Sequence, residues 1–129
     1  MQPRMFLSLT ALLEAGTGTL LLLVPRVPLE LLLGLQSTGP DTLVVARVAA
    51  AALLAIGVAS CLARSDNRTP AQSGLLVGIL IYNLAVAAIL AFAALGLGMT
   101  GVALWPVVVL HTTMGVWCVA CLRPAADTE

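Results

Sequence analysis

The chain contains no lysine; all six of its basic residues are arginine. Base composition of the source genome explains that usage, and it also suits contact with lipid phosphates. Charge of either sign is scarce, at 9% of residues, against roughly 25% in soluble domains. With 60% hydrophobic residues, a water-facing fold would expose an apolar patch far larger than soluble proteins tolerate. The formal net charge is zero, which removes any electrostatic case for binding nucleic acid. Three cysteines cannot all pair, and their spacing resembles no secreted disulfide scaffold. Histidine occurs once, so it could supply only one axial ligand. Met114, three residues after it, lies on the same helix and cannot reach the other face of a haem. No metal site is therefore expected. Nor is there alternation at period two, which excludes the strand pattern of a transmembrane β-barrel.

What is present is long apolar runs. Approximate spans at 5–24, 42–62, 73–93 and 102–122 are each long enough to cross a hydrocarbon core of about 30 Å. The first exceeds the usual h-region of a signal peptide, contains Glu14 and lacks a clear A-x-A site, so it reads as a retained span. The expected fold is all-α: an integral membrane four-helix bundle in one domain, residues 1–129. Pro25 and Pro28 stop the first span, and 28–35 (PLELLLGL) reads as a short interfacial helix with Glu30 facing water. Asp41–Thr42 offers an N-cap for the second span. Small residues at 15–19, Gly57 and the G-x-x-x-G of Gly74 and Gly78 suit close helix packing. Arg4, Arg64, Arg68 and Arg123 flank one side and only Arg26 the other, which argues for both termini in the cytoplasm. Val44-Val45-Ala46-Arg47 faintly echoes Val108-Val109-Leu110-His111, as two related hairpins would.

Each span carries a residue that hydrocarbon rejects: Glu14, Arg47, Asn83 beside Tyr82, and His111. At 1.5 Å rise per residue, Glu14, Asn83 and His111 share a depth of about 15 Å, and the long Arg47 side chain can lean toward it. An isolated charge at the bilayer centre costs at least about 2.5–3.5 kcal/mol, so such groups face inward and find partners. Glu14 with Arg47 is the expected ion pair, completed by Asn83 and His111. The set would fix helix register, hold the headgroup of a ligand such as a quinone or lipid, or pass protons. No cofactor is otherwise implied.

The thiols form a second cluster. Cys118 and Cys121 make a C-x-x-C at the end of the fourth span, level with Cys61 in the second. The chemical reading is a redox pair, yet an apolar helix lacks the exposed, electropositive setting that activates a thiol. Packing is the simpler reading.

The carboxylate in the first span, the arginine early in the second (VVARVAA) and polar residues in the last two resemble the broad DoxX-like group of small bacterial membrane proteins. The likeness covers the whole chain in length and span count. It implies a bacterial cytoplasmic (inner) membrane and a role near quinone or thiol redox enzymes, some of which have such proteins as membrane subunits. The expected function is an accessory or scaffold subunit of a membrane complex. It would contact membrane lipids and join a homo-oligomer or larger assembly. The alternatives are a quinone- or lipid-binding protein and a thiol redox enzyme. No complete catalytic constellation is present, which weighs against an enzyme.

Overall fold

The computed structural model describes residues 3–35, 37–66 and 69–123. Among these residues five helices follow one another: α1 (Pro3–Leu23), α2 (Arg26–Leu33), α3 (Pro40–Ala63), α4 (Pro70–Leu95) and α5 (Leu104–Leu122). Among the described residues there is no strand. All but α2 are long and apolar enough to cross a bilayer, with mean hydropathy of 1.6, 2.2, 2.5 and 1.6 in chain order. Arg68, one of the arginines that argue for orientation, and the tail 124–129 lie outside the described residues.

Proline sets the helix starts. Pro40 and Pro70 open α3 and α4, where a missing N–H would have had no partner anyway. The α3 cap is consequently Gly39, and the expected Asp41 cap is corrected: Asp41 lies within the first turn, where its charge complements the helix dipole. Thr69 caps α4 by accepting a hydrogen bond from the Gln72 backbone N–H at 3.1 Å. The buried Gln72 side chain reaches back across the turn, donating to the Ala63 carbonyl at 2.8 Å and the Asp66 carbonyl at 3.0 Å. The short helix begins two residues earlier than expected, because Pro28 is tolerated in its first turn. It ends at Gly34, whose φ of 71° is the left-handed conformation that favours glycine.

The helices pack as two antiparallel pairs, α1 with α3 and α4 with α5. In the first pair the backbones nearly touch. A Cβ on Gly18 would lie 2.9 Å from the Ala50 carbonyl oxygen, and one on Gly57 would lie 2.8 Å from the Ala15 nitrogen. Lipid is as apolar as leucine, so small residues that permit close backbone contact are what drive such a pair together. The second pair is looser: a Cβ on Gly115 would make ordinary contact with Leu84 at 3.7 Å.

The two pairs meet through larger side chains at the end that carries the start of α1, the α3–α4 turn and the end of α5. Phe6, Leu7, Leu76, Ile79, Met114, Cys118 and Cys121 form the buried core there. Phe6 meets Trp117 edge to face, ring centroids 5.6 Å apart. At the opposite end α2 touches both pairs. The Ala103 N–H donates to the Leu31 carbonyl at 2.8 Å, and a Cβ on Gly101 would collide with the Leu32 carbonyl. Only glycine lets α2 seat on the α4–α5 loop.

Candidate interior polar site

The inward face of α1 runs Phe6, Leu7, Thr10, Ala11, Glu14, Gly18, a three-and-four spacing that puts one carboxylate into an otherwise apolar or small face. Glu14 is 7% exposed. Its partner is Tyr82 of α4, whose hydroxyl donates to Glu14 Oε2 at 3.2 Å. The next residue, Asn83, turns the other way, toward α5. Its side-chain nitrogen donates to the Ile79 carbonyl one turn back at 2.8 Å, and its Oδ1 lies 2.9 Å from His111 Nδ1. With the Asn83 amide nitrogen committed to Ile79, Oδ1 accepts and the imidazole proton is held on Nδ1. His111 Nε2 has no hydrogen-bond partner among the described residues.

Glu14, Tyr82, Asn83 and His111 are thus brought together as two bonded pairs joined through adjacent residues of α4. The contact between the pairs is an edge-to-face meeting of the Tyr82 and His111 rings, 5.5 Å and 79°. No direct hydrogen bond links the two pairs. What the arrangement does is tie α1 to α4 and α4 to α5 at mid-length.

Arg47 does not join them, and the expected ion pair with Glu14 is absent. Arg47 is exposed, and its Nε donates to the Leu22 carbonyl at 3.4 Å, near the end of α1. Height separates them first: Gly57 packs against Ala15 and Ala11, so Glu14 is level with that stretch of α3, roughly 14 Å along the helix from Arg47. Azimuth adds to this, since Ala46, Ala50, Gly57 and Ser60 are the buried face of α3 and Arg47 is one residue, about 100°, off that face. A cation beside the last carbonyls of a helix meets the negative end of its dipole, which suits a guanidinium.

The thiols also separate. Cys61 is exposed on α3, whereas Cys118 and Cys121 are buried on α5. Cys118 donates to the Leu76 carbonyl at 3.2 Å inside the core. No disulfide is present, and no group of three or more His, Cys, Asp or Glu is placed to hold a metal, among the described residues.

Three buried polar atoms, announced by no reading of the sequence above, lack a partner among the described residues: Thr10 Oγ1, Ser60 Oγ and Trp117 Nε1. Thr10 had a visible signal, since it precedes Glu14 by one helical turn on the same face. Gln72 went unread as well, and its role depends on a turn geometry that no local pattern announces. A scan against protein-family models finds no match, and comparisons with curated proteins and with solved structures find none either.

Proposed function

We propose that the protein is an accessory subunit of a membrane complex, which works by packing sideways against a transmembrane helix of its partner. One observation carries this reading. Gly74 and Gly78 of α4 face outward with nothing within 4 Å of a Cβ built on either, although the fold uses its close-contact glycines elsewhere, at Gly18 and Gly57. A glycine pair one turn apart exposes a strip of backbone that lipid chains do not require and a neighbouring helix exploits. A shallow groove of about 560 Å³ along α1, lined by Ala15, Gly16 and Thr19 between leucines, offers a second such strip.

In this reading the four long helices span the bacterial cytoplasmic membrane and α2 lies at the interface, with Glu30 in water. An even number of spans puts both termini on one side, and the arginine distribution makes that side cytoplasmic. The resemblance to the DoxX-like group belongs to the same proposal.

The test is native mass spectrometry of the full chain released in gentle detergent, with Gly74→Ile/Gly78→Ile alongside. Wild type is expected to retain a partner chain and the double variant to lose it, with no fall in melting temperature. A lone monomer in both would end the proposal.

A second reading, a quinone- or lipid-binding site, is favoured by His111, whose Nε2 has no hydrogen-bond partner among the described residues, beside Tyr82. Its test is His111→Ala: unchanged retention of a co-purifying quinone would count against it. For a thiol redox enzyme the support is thinner, since Cys118 is sealed in the core and Cys61 lies apart.

A further inference from the structure

Two of the arginines converge from separate elements on one cleft at the α2 end of the bundle. Arg26, the first residue of α2, and Arg47 of α3 line a cavity of about 440 Å³ together with Leu23, Val24, Val27 and Leu43. That volume lies within the range of small-ligand sites, about 300–1,000 Å³. No acidic side chain lines it among the described residues. Glu30 instead lines a neighbouring cavity of about 250 Å³ with Arg26. Neither arginine makes an ion pair with a carboxylate among the described residues.

Two cations facing one apolar-walled cleft repel each other, and an anion between them removes that repulsion. Arg47 is held by its Nε on the Leu22 carbonyl, which leaves both terminal nitrogens for a second acceptor. Arg26 has no partner to give up among the described residues. Guanidinium groups match the paired oxygens of a phosphate, and a basic pocket between apolar helices takes a headgroup while its walls take the first carbons of the chains. The cleft sits where α1 ends and the chain turns into α2, the level at which an apolar span gives way to polar surroundings.

We infer that Arg26 and Arg47 bind the phosphate group of an anionic ligand, a phosphate ester such as a phospholipid headgroup bears. This assigns Arg47 a ligand distinct from the interior polar set, and it does not depend on lateral packing against a partner.

The test uses the full chain in detergent and native mass spectrometry, titrated with phosphatidylglycerol and with phosphatidylcholine of the same acyl chains. Wild type is expected to hold phosphatidylglycerol, and Arg26→Gln to weaken it about tenfold, as removal of one charge-assisted hydrogen bond does. The Arg26→Gln/Arg47→Gln variant should weaken it further, and Arg64→Gln at the opposite end should not. Arg26→Gln decides the matter even if Arg47→Gln frays the end of α1, because the Arg26 side chain holds no other element in place. Displacement by millimolar glycerol 3-phosphate would identify a soluble phosphate ester as the occupant, and persistence would identify the lipid. Equal retention of the two lipids, or wild-type affinity in Arg26→Gln, would overturn the inference.

Discussion

Residue identity decides most at Tyr82 and Asn83, neighbours in the chain that point to different helices. Removing the Tyr82 hydroxyl leaves a buried carboxyl group without its partner, and such an orphan costs about 1–3 kcal/mol. Tyr82→Phe is therefore expected to lower stability in detergent unfolding by that amount, with Tyr82→Phe/Glu14→Leu recovering part of it. If Tyr82→Phe unfolds like wild type, the Glu14 contact does not hold the bundle. Asn83→Leu removes bonds on both its oxygen and its nitrogen, and hydrogen bonds between membrane helices average about 0.6 kcal/mol, with a maximum of about 1.7. A fall of roughly 0.5–1.5 kcal/mol is expected from the same measurement. Glu14, Asn83 and His111 were legible in the sequence because a lone polar residue in an apolar run must be accounted for. Their pairing was not, since Glu14 meets Tyr82 where the charges suggested Arg47.

At the scale of an element, the glycines separate by the face they occupy. Gly57→Ala puts a Cβ against the Ala15 backbone, and overpacking of this kind costs about 1–3 kcal/mol. Gly78→Ala meets open space and replaces a poor helix former with the best one, so folding stability is expected to be unchanged or raised by up to about 1 kcal/mol. Melting the two variants side by side checks both. Equal falls in stability would mean that α4 buries its glycines as α1 and α3 do. The sequence announced all of these glycines with the same signal. Composition carries no record of which helix face turns toward the neighbour, and on that alone depends whether a glycine permits a contact or awaits one.

Across the whole molecule the long helices pack as a tight α1–α3 pair and a looser α4–α5 pair, and Arg47 and His111 lie equally far into α3 and α5. The equivalence stops at the side chains, since one caps a helix end and the other bonds Asn83. Burial divides the thiols in the same way. A membrane-permeant maleimide is expected to label Cys61 quickly in the folded protein and Cys118 and Cys121 only after unfolding, as read by intact mass. Rapid labelling of all three would mean that the shared core opens readily.

The sequence by itself determined the number of long apolar helices and the shared height of Glu14, Asn83 and His111 along the bundle. Each follows from distance along the chain, because a helix converts residue number into height at a fixed rise. Tertiary structure alone decided azimuth and inter-helix register: that Gly18 and Gly57 close the first pair, that Tyr82 reaches Glu14, and that Arg47 lies level with the end of α1 and joins Arg26 at the rim. Each residue rotates the side chain by about 100°, and the rotation of the whole helix is set by which faces pack most closely. That competition among four helices is won by backbone contacts that no single helix encodes.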